Sequence, residues 1–304
     1  MVATNEFDNY IAEARDPFRI LDTSAKTLLV EAMEGTEETL FPLNEVETAM
    51  VRMRDLYQRG KLYSRWEQEV NGKKRALAVP NEEFGYFLRR LVPVIQRGSI
   101  HSTAHGGEKG WSPKRSLETH VPCASVLSFD LANAFNNVGI RQVFDFFYKA
   151  FGDFGQEERI ECAGFLAQVC TVTYNDQRSL PQGSPHSMPL FNRALYDLDD
   201  LLDSKAKERG CAYTRWVDDL TVSSPYLASP EEFMGAVALV RETRPVARGK
   251  IFFQTSQNPI YLLGQVIEGG RVFKNSRQER EENKTPNLDY AEWFGGSRKY
   301  EKWE

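Results

Sequence analysis

The sequence predicts an α+β fold, in which a ferredoxin-like sheet is covered on one face by helices. Two apolar runs of strand-forming residues, 125–135 and 213–224, are separated by stretches with helical periodicity. Strands and helices in this order are typical of such a sheet. A third observation is the pair Asn71-Gly72, which lies between two more strand-like runs. Because both central positions of a tight hairpin turn need positive φ angles, this pair predicts a separate β-hairpin.

The other elements follow in chain order. The hairpin strands span 61–70 and 73–80 and carry a run of basic residues that begins at Lys73. Residues 82–98 fit a helix that ends near Gly98, with four large apolar side chains on one face. Further helices are predicted over 25–33, 45–59, 141–151, 156–173, 188–209 and 230–243, and further strands over 251–254 and 260–267.

This order divides the chain into four segments. They are an acidic helical extension over residues 1–60, the basic hairpin and its helix over 61–125, the main sheet over 126–268 with a helical insertion at about 140–178, and a short tail over 269–304. The tail mixes basic residues with the aromatic residues Tyr290, Trp293, Phe294, Tyr300 and Trp303. Such a mixture suits either stacking on nucleic acid or docking to a protein.

The composition is that of an ordinary globular protein, with a hydrophobic fraction of 41% over 304 residues. No run approaches the roughly 18 apolar residues of a membrane span. The N-terminus lacks the basic region and apolar core of a signal peptide. We therefore expect a cytoplasmic protein with no membrane partner. The four cysteines lack C-x-x-C spacing, which disfavours a zinc ribbon.

Charge is unevenly distributed along the chain, although the net charge is only −5. Residues 1–50 contain eleven acids and three bases, whereas residues 52–115 contain fourteen bases and six acids. The second block predicts a surface that holds the phosphate backbone of a nucleic acid. A solvated charged face is the alternative interpretation.

Three acids occupy positions where charge is unusual. Asp130 lies within one apolar run, and Asp218 and Asp219 lie at the tip of a predicted hairpin in the other. Adjacent carboxylates repel each other, so a fold keeps them most readily when a divalent cation lies between them and a polyanion. The three acids therefore predict one metal site that faces a nucleoside triphosphate, unless the pair is simply exposed in a turn. The metal should be Mg²⁺, which prefers oxygen ligands.

Three motifs together resemble a known family. They are the strand around Asp130, the loop Leu180-Pro-Gln-Gly-Ser-Pro and the hairpin Trp216-Val-Asp-Asp. Over about residues 61–266 the chain resembles bacterial reverse transcriptases of the retron, group II intron and phage-defence kind. The resemblance implies a right-hand polymerase with a ferredoxin-like palm and fingers and a reduced thumb. The basic hairpin segment would then be the fingers, the main sheet the palm, and the tail the short thumb.

The resemblance also implies an RNA-directed DNA polymerase that uses two Mg²⁺ ions, with Mn²⁺ as a substitute, to add a dNTP to a primer 3′-hydroxyl. The implied metal site contains Asp130, Leu131, Asp218 and Asp219, and its three acids are the catalytic residues. Asp130 and Asp218 are predicted to bridge the ions. Because successive strand residues face opposite ways, Asp219 is predicted to point away and to support the site.

The nucleotide pocket implied by the resemblance draws on several parts of the chain. The residues predicted to contact the incoming dNTP are Arg75, Lys73, Ala134, Phe135, Gln182, Gly183 and Lys250. Arg75 suits a bidentate grip on the triphosphate, and Lys73 or Lys74 would contact template phosphate. Phe135 would lie beneath the sugar and exclude a 2′-hydroxyl, or else it is a plain core aromatic. Lys250 either protonates the pyrophosphate or is a surface lysine.

A further set of residues matches segments that contact nucleic acid in this family. They are Lys74, Arg115, His120, Trp216, Leu263 and Gly264. Three of these segments depart from the usual pattern. Trp216 stands in place of Tyr or Phe, the Asn-Ala that retron enzymes carry before His120 is missing, and Leu-Leu-Gly264 replaces Val-Thr-Gly.

The implied partners are an RNA template, which can be a dedicated structured non-coding RNA, together with dNTPs and the DNA product. A protein partner or a second copy of the chain would supply the missing thumb surface. A role in phage defence follows by analogy to short bacterial members of the family. Three alternatives stay open: template-independent or protein-primed DNA synthesis, an inactive RNA-binding scaffold, and an RNA-directed RNA polymerase, which Phe135 disfavours.

Overall fold

The structure is a computed structural model that describes residues 18, 43–70, 73–152, 155–174, 176–274, 288–289, 292, 294 and 298–303. The chain forms two compact units, each made of two separate stretches of sequence. We call Met1–Ser99 with Phe135–Ala194 the hairpin unit, and Ile100–Ala134 with Leu195–Glu304 the sheet unit. The predicted helix over 25–33 lies outside the described residues.

The described part contains the following elements in chain order: α1 (Leu43–Gln58), β1 (Tyr63–Val70), β2 (Lys73–Pro80), α2 (Glu82–Arg97), α3 (Pro113–Glu118), β3 (Ser125–Leu131), a 3-10 turn (Phe135–Asn137), α4 (Ile140–Ala150), α5 (Gln156–Val169), β4 (Val172–Tyr174), β5 (Gln177–Ser179), α6 (Ser187–Ala194), α7 (Tyr196–Glu208), β6 (Ala212–Trp216), β7 (Asp219–Ser224), α8 (Pro230–Arg241), β8 (Val246–Thr255), β9 (Ile260–Leu262), β10 (Gln265–Glu268) and β11 (Arg271–Lys274).

The basic hairpin is confirmed in the hairpin unit. β1 and β2 pair antiparallel in a register that runs from Tyr63 opposite Pro80 to Val70 opposite Lys73. The Asn-Gly turn that joins them lies outside the described residues. Asn81 then caps α2, because its side chain accepts a hydrogen bond from the Phe84 amide at 2.8 Å. The apolar face predicted for this helix is buried, with Phe84, Leu88 and Leu91 fully covered.

One predicted helix of the hairpin unit ends earlier than expected. The prediction for 156–173 was wrong at its C-terminal end, since α5 stops at Val169 and residues 172–174 form β4. β-Branched residues such as Val172 and Thr173 favour strands, and β4 pairs with β5 to satisfy its backbone groups. Pairing with β5 therefore decides the conformation of residues 172–174, although the sequence periodicity favours a helix there.

The sheet unit has the predicted ferredoxin-like arrangement. Its main sheet is antiparallel with the strand order β6-β7-β3-β8. α7 packs against β6, and α8 packs against β3 and β8. A second sheet, β11-β10-β9, closes a smaller core that includes Leu117, Val126 and Ile260. The α+β fold class is therefore confirmed, and β3 lies at an inner position of its sheet.

The helix predicted over 188–209 was wrong as a single element, because it is broken at Leu195 into α6 and α7. Neither Gly nor Pro occurs at the break. The two halves are held by different partners. Arg193 on α6 donates to the main-chain oxygens of Gln96 and Gly98 at 3.1 Å each, while Asp199 on α7 is bonded to Arg215. Tertiary bonds thus override helix continuity.

The C-terminal tail is described only in part, and Tyr290 and Trp293 lie outside the described residues. Trp303 is 3% exposed, and its ring nitrogen donates to the Glu232 main-chain oxygen at 2.9 Å. An added Cβ at Gly235 would lie 2.3 Å from the Trp303 ring, so only glycine allows this packing. The expectation that Trp303 stacks on nucleic acid or on a partner was therefore wrong, because the ring packs against α8.

None of the helices within the described ranges combines the length and the apolar character that crossing a lipid bilayer requires.

Three buried histidines are expected to make the fold sensitive to acid. Burial lowers the pKa of His120 to about 3 and those of His105 and His186 to about 4. All three stay neutral in the folded state where an unfolded histidine, with a pKa of about 6.5, binds a proton. The free energy of unfolding should therefore fall as the pH drops from about 6.5 to about 4, by at most about 1.4 kcal/mol per pH unit for each histidine.

Urea denaturation at about pH 7, 5.5 and 4.5 measures this dependence. His186→Gln removes one of the three histidines and should flatten the slope. His186 is hydrogen-bonded to Ser184 and to the Cys170 main-chain oxygen, and glutamine can keep part of that bonding. An unchanged slope in the variant would contradict the role given to His186.

Candidate active site

Asp130 is a charged residue on a strand that is otherwise core. All residues of β3 are buried except Ser128, because Val, Leu and Phe side chains fill both of its faces. Asp130 is next to last on the strand and is 6% exposed. A carboxylate so placed needs a compensating charge or hydrogen bonds.

β7 brings a second acid directly opposite Asp130. In the antiparallel register of β3 and β7, Asp130 pairs with Asp219. Directly paired residues project from the same face of a sheet. The expectation that Asp219 points away from Asp130 was therefore wrong. The prediction assumed that Asp218 and Asp219 are successive residues of one strand, which face opposite ways. Asp218 instead lies in the turn before β7.

The turn that carries Asp218 is tight and tied to β3. Trp216 pairs with Asp219, which leaves Val217 and Asp218 as the two turn residues. Val217 has a φ angle of 60°, in the left-handed region. The Leu131 amide donates to the Asp218 main-chain oxygen at 2.8 Å. This bond fixes the turn at the end of β3 that holds Asp130.

An irregularity in β8 brings Lys250 next to Asp130 as well. Phe129 pairs with Ile251 and Leu131 with Val246, so four residues of β8 lie opposite Asp130 alone. Bulges of this kind redirect side chains next to active sites. The Lys250 ammonium contacts Oδ2 of Asp130. The interpretation of Lys250 as a surface lysine unconnected with the site was therefore wrong, whereas protonation of pyrophosphate stays a prediction.

The electrostatics of the site follow from its burial. Burial raises the pKa of Asp219 to about 6, because the charged form of a carboxylate loses hydration there. The Lys250 ammonium offsets the charge of Asp130. In the described residues, no three His, Cys, Asp or Glu side chains are grouped so that they could hold a metal ion. The gathering of all three acids around one ion stays a prediction.

The donor chemistry nevertheless fits the Mg²⁺ that the sequence predicts. Asp130 and Asp219 offer carboxylate oxygens from paired positions, and such oxygens are the ligands that Mg²⁺ prefers. A cation, the Lys250 ammonium, already lies against Asp130. Leu131 is apolar and buried, so only its main-chain oxygen can serve as the ligand predicted for it.

The basic arm of the hairpin unit carries the predicted triphosphate contact. Arg75 lies on β2 and is exposed. Lys74 is exposed as well, with its ammonium 3.9 Å from Glu67 across the hairpin. The side chain of Lys73 lies outside the described residues. Contacts of these residues with dNTP or template stay predictions.

The Pro-Gln-Gly loop lies against the same arm. The Ala78 amide on β2 donates to the Gln182 main-chain oxygen at 2.9 Å. Gly183 has a φ angle of 96°, and an added Cβ would lie 3.1 Å from the Val79 side chain. The positive φ angle therefore favours glycine there, and the added Cβ would also press against Val79. Two segments that were assigned to the nucleotide pocket thus meet within the hairpin unit.

Phe135 follows Ala134 at the boundary of the two units along the chain. Its side chain is half-buried, and its ring centroid lies 4.8 Å from that of Phe191. This packing gives the ring a fixed support while part of it stays accessible. Ala134 is buried, so a nucleotide contact there would involve its main chain.

His120 does not contact nucleic acid, so that prediction was wrong. It is 1% exposed, and its ring nitrogens lie 2.7 Å from the Ser223 and Thr214 hydroxyls. The side chain therefore connects β6 to β7 within the protein. A histidine with two hydroxyl partners is satisfied without a ligand.

The other predicted nucleic-acid contacts have varied surroundings. Arg115 is exposed, lies 4.7 Å over the Trp111 ring and donates to the Gly110 main-chain oxygen. Trp216 is half-buried at the end of β6. Leu263 and Gly264 form the β9–β10 turn with positive φ angles of 48° and 69°. Their contacts with nucleic acid stay predictions.

Sequence reasoning missed Arg215 and Asp199. Both side chains are fully buried, and Arg215 Nη2 lies 2.7 Å from Asp199 Oδ2. The available signal was the charge of Arg215 in an otherwise strand-like run directly before the hairpin acids. Its partner on α7 is sixteen residues away and could not be recognised from the pattern.

One protein family matches the stretch of sequence that contains most of the residues described above. The family described as "Reverse transcriptase (RNA-dependent DNA polymerase)" matches residues 72–247, which is more than half of the chain. The chain belongs to the reverse transcriptase family. The matched span contains the basic strand β2, the Pro-Gln-Gly loop, Asp130 and the hairpin acids.

Curated members of the reverse transcriptase family give the same picture. The chain is similar to the retron Mx162 reverse transcriptase of Myxococcus xanthus, with 29% identity over 166 residues, and to the retron Ec86 reverse transcriptase of Escherichia coli, with 27% identity over 183 residues. These alignments cover 50% and 59% of this chain, and 33% and 53% of the relatives. The chain thus spans between a third and about half of their length. A telomerase structure from Candida tropicalis gives a TM-score of 0.48 at 11% identity, over 72% of this chain and 58% of that chain.

Proposed function

We propose that the chain is an RNA-directed DNA polymerase that adds dNTPs to a primer 3′-hydroxyl. The observation that carries the proposal is the pairing of Asp130 with Asp219 at the end of a buried strand, beside the turn that holds Asp218. Buried acids at adjacent positions raise the free energy of the fold, because their charges repel. Membership of the reverse transcriptase family supports a catalytic reason for keeping them.

The acids and Lys250 of the sheet unit and the nucleotide-contact residues of the hairpin unit each have a task of their own in this proposal. Asp130, Asp218 and Asp219 would hold two Mg²⁺ ions, which when bound activate the primer hydroxyl and neutralise the triphosphate. Lys250 lies next to Asp130, and its ammonium would donate a proton to a leaving oxyanion. Arg75 and Gln182 would bind and orient the dNTP in the hairpin unit, supported by the bond between Ala78 and Gln182.

Incorporation of labelled dNTP on a primed RNA template, with and without Mg²⁺, tests the proposal. Asp218→Asn should lose Mg²⁺-dependent incorporation. If the native chain and the variant behave alike, the inactive scaffold is favoured instead. If the native product forms equally well without RNA, and its sequence does not copy a template, synthesis is template-independent.

Phe135 is proposed to select deoxynucleotides. Phe135→Val shortens the side chain and should admit a 2′-hydroxyl, so incorporation of rNTP relative to dNTP should rise by about tenfold to a hundredfold. Single-nucleotide kcat/KM values for both substrates provide the measurement. Phe191→Leu is a matched control, because it removes the aromatic neighbour of Phe135 and leaves the proposed steric barrier in place. An unchanged ratio in Phe135→Val would mean that Phe135 is a plain core aromatic.

A dedicated structured RNA and a role in phage defence belong to the same proposal. The RNA partner is supported by the similarity to retron reverse transcriptases, whereas the defence role follows by analogy to short bacterial members of the family. Sequencing of nucleic acid that copurifies with the protein should recover one RNA and its DNA copy. Phage plating on hosts that express the native chain or Asp218→Asn should show protection only with the native chain.

A further inference from the structure

Arg215 is the largest side chain among the fully buried residues of the described part. It lies on β6, two residues before Val217. We call β6, β7 and the turn between them, which holds Val217 and Asp218, the catalytic hairpin. A buried guanidinium is unfavourable unless its charge and its N–H groups are all matched. Its contacts therefore indicate what the protein gains from having it there.

Asp199 on α7 satisfies most of the guanidinium. Arg215 Nε lies 2.9 Å from Asp199 Oδ1, and Nη2 lies 2.7 Å from Oδ2, in a two-pronged ion pair. Tyr213 donates to the same carboxylate at 2.8 Å, which holds it in place. The remaining arm, Nη1, donates to the Val217 main-chain oxygen at 2.9 Å. The ion pair between Arg215 and Asp199 is thus connected to the turn between β6 and β7 through this hydrogen bond.

Val217 needs such support because its conformation is strained. A φ angle of 60° is a genuine outlier for a β-branched residue. Residues of this kind persist only where the surroundings impose the conformation, and they concentrate at functional sites. Gly106 approaches from another side, since an added Cβ would lie 2.3 Å from the Val217 nitrogen. The loop before Gly106 is itself bonded to Arg215, through Thr103 and His105.

We propose that Arg215, held by Asp199, is a positioning residue that keeps the turn of the catalytic hairpin in its strained form. It acts through the Val217 main-chain oxygen and thereby sets where Asp218 and Asp219 lie. This inference rests on the proposed function for its catalytic consequence. The conformational claim stands on the contacts of the sheet unit alone.

Arg215→Lys tests the idea because lysine keeps the charge but cannot bond Asp199 with two prongs and Val217 with a third group. The variant should lower kcat by about tenfold to a hundredfold, as misplacement by about 1 Å does, with a KM for dNTP within about threefold of the native value. Hydrogen exchange measured by mass spectrometry should speed up over residues 216–219 more than in the rest of the sheet unit.

Two further variants separate positioning from general stability. Arg193→Lys alters another buried arginine, one that bonds main-chain oxygens at the end of α2, and should leave kcat and exchange over residues 216–219 unchanged. Val217→Gly relieves the positive φ angle, so adding it to Arg215→Lys should restore part of the lost kcat. A merely structural role predicts no such rescue.

The outcomes are decisive in each case. If Arg215→Lys folds with native exchange over residues 216–219 and native kcat, the inference is wrong. If it does not fold, Gly106→Ala decides, since the atoms nearest to its added Cβ belong to Val217 and Trp216 and the turn must move; native kcat there overturns the inference, and a loss supports it. If the native chain incorporates no dNTP, the proposed function fails, and the exchange comparison still decides whether Arg215 holds the turn.

Discussion

Asp130→Asn is expected to reduce dNTP incorporation by about a thousandfold, which corresponds to about 4 kcal/mol of lost transition-state stabilisation. Asparagine has nearly the same shape but no charge, so β3 and its pairing with β7 should persist. The effect should be large because Asp130 and Asp219 are the two acids that the register brings face to face. Single-turnover incorporation with a primed RNA template provides the measurement.

A matched control for this variant is Asp197→Asn, which removes an exposed carboxylate on α7. It should leave the rate within about twofold of the native rate, since an exposed charge away from the site contributes little. Circular dichroism of all three proteins should coincide. Retention of more than about a tenth of the native rate by Asp130→Asn would remove Asp130 from the catalytic residues.

Asp199→Ala is expected to lower the free energy of unfolding by about 3–5 kcal/mol, because it leaves the Arg215 guanidinium buried without its counter-charge. Both partners are 0% exposed, so water cannot replace the lost carboxylate. The Tyr213 hydroxyl loses its acceptor in the same change. Urea denaturation monitored by tryptophan fluorescence measures the effect.

Glu301→Gln is the matched control for this second prediction. It weakens a partly exposed ion pair, in which Arg209 and Glu301 are 2.7 Å apart. Exposed pairs contribute at most about 1 kcal/mol, so the control should be nearly neutral. The double replacement Arg215→Met with Asp199→Leu should recover much of the stability, as apolar substitutes for buried ion pairs do. Equal effects of Asp199→Ala and Glu301→Gln would contradict the structural importance of the buried pair.

Local patterns were sufficient for several parts of the molecule. The Asn-Gly pair predicted the β1–β2 hairpin, and the apolar face with its Asn81 cap predicted α2. In both cases the interactions that decide the structure lie within about twenty residues of sequence. Predictions failed where distant contacts compete with local preference, as at the break after Ala194 and the early end of α5. His120 was assigned to nucleic acid from the family resemblance alone, since its two hydroxyl partners, Ser223 and Thr214, lie far away in the sequence and no local pattern indicates them.

The sequence by itself indicated the family and singled out three candidate acids. Asp130 and the hairpin acids stand in apolar runs, and charge in such a place is visible without coordinates. Only the tertiary structure decided how they are arranged. Strand register set Asp219 opposite Asp130, the irregularity in β8 brought Lys250 to the same carboxylate, and a buried ion pair tied Arg215 to the turn. These relations depend on pairing between segments far apart in the chain, which residue order alone does not encode in any local pattern.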